Sequence, residues 1–315
     1  MTDEIRHTLG ELAARQLANT TKTVPQMLSI TPRWLIACLP WVPVEAGTYR
    51  VNRVIEALAD APADVDCSPQ EDEELPETFV DYEEHPREYT LSAMTTILDV
   101  QTRISDLYRS PYDQIREQLR LTIEKVKEKQ ESEIINNDSY GLLPNAKAVP
   151  SMCVQPTTAA GTPTPDDLDE LIARVWKEPA FFLAHPRAIA AFGRECTRRG
   201  VPPVTVTLFG SPFITWRGIP LVPSDKLGVD NNNLTNILLL RTGERKQGVV
   251  GLFQPGLPGE VSPSLSVRFM GINRKAVASY LISLYCSVAV LTDDALGVLE
   301  NVNVGKYPVY THDYQ

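Results

Sequence analysis

"TPRWLIACLPWVPVEAG", Thr31 to Gly47, carries two tryptophans and three prolines, and its eleven residues from Trp34 to Val44 hold no charge. It is too short to span a bilayer, which takes about 20 apolar residues. Pro40 and Pro43 also lack the N–H that a lipid-buried helix would use. Left in water the stretch is an aggregation hazard, so something must cover it. The spaced prolines favour an extended, strand-like path. Once covered, Trp34, Leu35, Ile36, Leu39, Trp41, Val42 and Val44 each contribute about 1.5–3 kcal/mol. Their sum, roughly 10–20 kcal/mol, is an upper bound, because a free segment already collapses partly on itself.

On the N-terminal side, Ile5, Leu9, Leu12, Ala13 and Leu17 recur at helical spacing over Asp3–Ala18. The polar face mixes Arg6 and Arg15 with Glu4 and Glu11, unlike a basic membrane-surface helix. The first fifty residues therefore read as a short helix followed by an extended ribbon without a core of its own. Downstream, Asp66–Thr90 holds ten acids against a single arginine. Such a run is a solvated loop before it is a metal site, and Phe79, Tyr82 and Tyr89 within it suit a projecting hairpin.

The clearest helix begins at Ser110, with Pro111 at its first position and Asp113 in its first turn. Tyr112, Ile115, Leu119, Ile123, Val126 and Ile134 make its apolar stripe. Glu117–Arg120, Lys127–Glu131 and Lys129–Glu133 are spaced for ion pairs on the other face. Reaching about Asn136, it spans about 39 Å and needs a broad surface to lie on. Two shorter helices follow, one started by Thr164-Pro165 and one near Pro186 that stops at Gly200. Strands are expected over Val204–Phe209, Phe213–Trp216 turning through Arg217-Gly218 into Ile219–Val222, Asn236–Arg241, Gly248–Phe253 and Leu265–Met270. A helix over about Asn273–Leu284, a strand over Cys286–Leu291 and a small helix after Asp293 complete an α+β alternation.

The chain has 315 residues and a net charge of −10, which disfavours general nucleic-acid binding. Five scattered cysteines without a CxxC pair, and no secretory leader pattern, point to a reducing, cytosolic setting. No cofactor or metal motif is legible. "GLFQPGLPGE" is broken by Pro255 and Pro258 and has no lysine, so it reads as a shaped loop and not a phosphate cradle. The best enzyme hypothesis pairs Cys196 or Cys153 with His185, but neither cysteine sits in an activating context. The pattern is architectural and not catalytic.

Five blocks carry a resemblance. "ARQLANTTKTVPQM" (Ala14–Met27), "TPRWLIACLPWVPVEAGTYRVN" (Thr31–Asn52), "GSPFITWRGIPLVPSDK" (Gly210–Lys226), "GVVGLFQPGLPGE" (Gly248–Glu260) and "SVAVLTDDALGVLENV" (Ser287–Val302) resemble family 2A encapsulin shell proteins. The resemblance implies the HK97-type phage capsid fold. Its parts would be an N-terminal arm over 1–65, an extended loop region over 66–104, a peripheral domain with its spine helix over 105–148, an axial domain over 149–234, and the second part of the peripheral domain over 235–315. It also implies an icosahedral homo-oligomer of about 60 subunits, standing in the bacterial cytoplasm. A cysteine desulfurase would be enclosed as cargo, giving a role in sulfur metabolism without nucleic acid or membrane insertion. On this reading Trp34, Leu35, Leu39, Trp41, Val42 and Val44 are assembly residues, buried against the long helix and neighbouring subunits. The turn Thr197–Pro203, with Arg198, Arg199 and Gly200, is the expected pore loop. A phage or prophage major capsid protein, sharing the fold, is the alternative, and the Cys/His enzyme the second.

Overall fold

The computed structural model describes residues 12–13, 30–45, 47–52, 85–101 and 114–307. Of the expected N-terminal helix only Leu12 and Ala13, helical and exposed, are among them; the acidic run up to residue 84 and the Ser110-Pro111 helix start lie outside. In chain order the elements begin with α1 (Trp34–Cys38), β1 (Trp41–Pro43), β2 (Thr48–Val51), β3 (Arg87–Thr90), β4 (Ser92–Gln101) and α2 (Gln114–Asn136). Next come α3 (Leu142–Lys147), β5 (Cys153–Val154), α4 (Pro165–Arg174), β6 (Phe181–Ala184), α5 (Pro186–Arg198), β7 (Val204–Leu208), β8 (Ser211–Trp216) and β9 (Ile219–Pro223). The last are β10 (Leu234–Leu240), β11 (Val249–Phe253), β12 (Glu260–Ser262), β13 (Leu265–Ile272), β14 (Val277–Val290) and β15 (Leu296–Asn303).

Two sheets organise these elements. A six-stranded sheet runs β1-β11-β14-β13-β12, with β4 on the remaining edge of β14. The long helix α2 lies on one face of it, packing Leu119, Ile123 and Val126 against Met94, Leu98, Leu265, Ile282 and Leu284. The apolar stripe read from the sequence is thus the face that meets the sheet. A seven-stranded sheet runs β5-β15-β10-β6-β9-β8-β7. Both faces of its central strands are covered, which is why β6 and the Ile237–Leu240 part of β10 read as unbroken apolar runs. On one face α4 and α5 press Leu168, Leu171, Ala188 and Phe192 against Phe182, Ile237, Leu239 and Leu299. The opposite face, through Leu183, Leu238, Leu240 and Val298, joins Val249, Val288 and Val290 of the first sheet in one shared core.

The two short helices start where their capping residues stand. Thr164 accepts a bond from the Asp167 amide, and the Asp167 carboxylate accepts from the Thr164 amide, which is a reciprocal capping box. His185 caps α5 by accepting from the Arg187 amide at 3.0 Å, and Gly200, at φ 74°, turns the chain out of it. The Arg217-Gly218 hairpin joins β8 to β9 as expected, with φ positive at both residues.

Several sequence expectations are corrected. The helix over Asn273–Leu284 is replaced by strand, which runs on through the strand expected at Cys286 as one element, β14. Val277, Leu281 and Leu284 fit a helical period, but Tyr280, Ile282 and Leu284 also alternate. Pairing with β4 on one side and β13 on the other settles the ambiguity. After Asp293 there is only one 3₁₀ turn before β15. The Lys127–Glu131 pair is absent among the described residues; Glu131 is instead 1% exposed, beneath the N-terminal segment. Glu117–Arg120 and Lys129–Glu133 do form. β10 spans position 234/235, and β15 lies in one sheet with β5, β6 and β9.

Candidate assembly site

The Thr31–Gly47 stretch is neither a free ribbon nor extended throughout. Arg33 adopts a left-handed φ of 50° and turns the chain into α1, whose Leu35 is fully buried; Leu39 follows at 3% exposure. Both sit in the core shared by the two sheets, beside Ile134, Leu142 and Leu238. The segment therefore fills a seam of its own subunit, along the long helix. Pro40 precedes β1 and Pro43 is its last residue; β1 pairs in parallel with the edge of β11. A central strand would not tolerate prolines there; an edge does.

Polar contacts fix the segment along α2. The Thr31 amide and hydroxyl both donate to Glu128, at 2.9 Å each. Arg33 Nη1 bridges Glu124 at 2.7 Å and Glu128 at 3.1 Å. Lys226 Nζ reaches Glu128 at 3.0 Å from the opposite side and Asp225 at 2.7 Å. Burial pushes the Glu128 carboxyl up, but the Thr31 donors and Lys226 outweigh it, leaving it below the usual range. Glu131 goes the other way: burial drives it up to about 7.

The two tryptophans do different things. Trp34 stacks on Phe209 with ring centroids 5.7 Å apart and meets Phe213 edge-on at 5.3 Å, linking the segment to the β7–β8 hairpin. Trp41 donates its indole N–H to the Ile36 carbonyl at 2.9 Å and lies flat over Gly251. A Cβ at Gly251 would stand 2.6 Å from the Trp41 ring, so this position requires glycine for close approach. Val42 and Val44 pack with Val250, Leu252 and Ala289; Val44 is buried.

Two further features were not read from the sequence. The β2–β3 ladder pairs Thr48–Val51 with Arg87–Thr90 and is pinned to the body. Tyr49 donates to Glu244 at 2.7 Å, Tyr89 to the Val290 carbonyl at 2.5 Å and Arg87 to Asp293 at 3.0 Å. The tyrosines were its one sequence signal. At the expected pore turn, Arg198 and Arg199 both bind Glu195, and Arg199 also binds Asp166 at 2.7 Å. Arg198, then burial acting the opposite way, then Arg199 set the Glu195 carboxyl, which ends at about 2. The turn thus presents arginines whose charge is largely matched from within.

The Cys/His enzyme reading loses its parts. Cys196 is buried and its thiol is pushed up to about 11 by desolvation. Cys153 sits against the Ala146 and Val149 carbonyls, and His185 is occupied as a helix cap. In "GLFQPGLPGE" the Gly256 amide donates to the Glu260 carboxylate, which leaves an anion facing the place where a phosphate would sit. No group of metal-ligating side chains occurs among the described residues, and none of their helices is long and apolar enough to cross a membrane.

A family model described as type 2A encapsulin shell protein SrpI-like matches residues 49–306. The type 2A encapsulin shell protein SrpI of Synechococcus elongatus is 67% identical over 305 residues, 97% of each chain. A type 2A encapsulin shell protein of Mycolicibacterium paratuberculosis is 62% identical over 302 residues, 96% of each. The cryo-EM structure of the holo-SrpI encapsulin complex from Synechococcus elongatus is similar at TM-score 0.82 and 65% identity, over 96% of this chain and 99% of that one. Microbacterium phage Oxtober96 shares the fold alone, at TM-score 0.61 and 13% identity over 89% and 94% of the two chains.

Proposed function

The chain belongs to the type 2A encapsulin shell proteins, and from that premise we propose that its icosahedral shell encloses a cysteine desulfurase and serves sulfur metabolism in the bacterial cytoplasm. The shell role is structural and not enzymatic, in keeping with relatives named as shell proteins. The observation that carries the cargo reading is the likeness, at 65% identity across nearly the whole chain, to a shell protein solved as a holo complex. The phage alternative has only fold-level likeness behind it.

Co-expressed with a cysteine desulfurase from the same genome, the shell should carry that enzyme down on sedimentation and shield it from added protease. A desulfurase that stays in the supernatant and is digested as fast as the free enzyme contradicts the cargo reading. Nuclease-protected DNA inside the particles would favour the capsid alternative instead.

Within the shell, residues Trp34, Leu35, Leu39, Trp41, Val42 and Val44 act on assembly by making the subunit rigid along the α2 seam, since Leu35, Leu39 and Val44 are buried in one protomer. The half-buried Trp34, Trp41 and Val42 leave surface for a neighbour. The turn with Arg198, Arg199 and Gly200 faces a pore that passes small polar molecules. In a map of the assembled particle these residues should approach a symmetry axis, and Arg198 and Gly200 remote from every axis would overturn the assignment.

A further inference from the structure

The seam between the N-terminal segment and α2 has a charge imbalance. Four carboxylates meet there, Glu124, Glu128 and Glu131 from α2 and Asp225 from the stretch after β9. Two cations face them, Arg33 from the N-terminal segment and Lys226 beside Asp225. Both cations are already committed: Arg33 to Glu124 and Glu128, Lys226 to Glu128 and Asp225. Glu131 is the deepest of the four, 1% exposed, and its hydrogen-bond donor is the Leu35 amide at 3.4 Å. Lys127, one turn back on α2, does not pair with it among the described residues, and α3 brings the apolar Leu142 and Ala146 to this core. An ionised, buried carboxylate with one long neutral bond is costly, and a protonated one is not.

We propose that Glu131 is a pH-sensitive latch: its neutral carboxyl holds the Thr31–Val44 segment on the long helix, and its ionisation loosens that segment within the shell. Burial is the first cause of the displaced titration, with Glu128 and Asp225 adding to it; the Leu35 amide and Lys226 oppose it. The sign follows from linkage. The group's closed-state value, about 7, stands above its ordinary value of 4.5. Its contribution is therefore complete below about 4.5, declines as pH rises, and is gone above about 7. The inference rests on geometry inside one subunit and not on the identity of the cargo.

Hydrogen exchange at the Leu35 amide of intact shells, corrected for the intrinsic rate, tests it. Between pH 5.5 and 8 the opening equilibrium of wild-type shells should rise about 30-fold, at about tenfold per unit up to pH 7 and then level. Glu131→Gln keeps an acceptor for Leu35 and cannot ionise, so its profile should stay flat, about tenfold below the wild-type value at pH 5.5. A flat wild-type profile, or a Gln variant that rises in parallel, overturns the latch. Should the variant fail to assemble, the wild-type profile decides alone: a rise that levels near pH 7 supports the latch, and a flat one overturns it.

Discussion

Deleting residues 1–52 should yield no shells and no folded subunit, only aggregated or protease-sensitive chain. The deletion empties the places of Leu35, Leu39 and Val44 in two cores and removes β1 from the β11 edge. Three buried apolar side chains contribute about 1.5–3 kcal/mol each, before the cavities they leave are counted. A domain has about 5–15 kcal/mol of net stability in total. Glu124, Glu128 and Glu131 would also lose Thr31, Arg33 and the Leu35 amide. From sequence, the expected products are soluble aggregates or unassembled subunits; with the segment lodged inside the protomer, the loss extends to the fold itself. Circular dichroism and size-exclusion chromatography distinguish the cases. Full-sized shells of normal thermal stability from the deleted chain would show that the segment is decoration.

Gly251→Val should be the most damaging single change on the β1–β11 ladder. The new Cβ would stand 2.6 Å from the Trp41 ring, and Trp41 is tied by its indole N–H to Ile36 and by strand pairing to Gly251 itself. Overpacking of this kind costs about 1–3 kcal/mol, and expelling the indole adds part of its burial energy. Trp41→Ala should also destabilise, while the double replacement should cost less than the sum, because the clash then has no partner. Unfolding by denaturant measures all three. Strict additivity would mean that Gly251 and Trp41 do not press on each other.

What was legible in the sequence was what local chemistry writes. Thr164 and Pro165 mark a helix start unaided, and Arg217-Gly218 marks a hairpin. The stripe from Leu119 to Val126 identified the sheet-facing side of α2. What was not legible depended on distant partners. The 14-residue β14 carries a pattern that a helix also satisfies, and only β4, β11 and β13 beside it fix its form. For Glu131, helical spacing gave Lys127 as partner, whereas the arriving N-terminal segment buries the carboxyl and supplies the Leu35 amide. Trp34–Val44 was recognisable as something that must be covered. That the cover is its own subunit required the fold, since neither prolines nor hydrophobicity tell an intramolecular seam from an intermolecular one.

The most direct test is a cryo-EM map of particles formed by this chain expressed alone. The account predicts closed icosahedral shells in which Leu35 and Leu39 lie under the α2 helix of the same subunit, with Thr31 and Arg33 on its Glu128. Unassembled subunits, or shells in which those side chains are exchanged onto the helix of a neighbour, would contradict it.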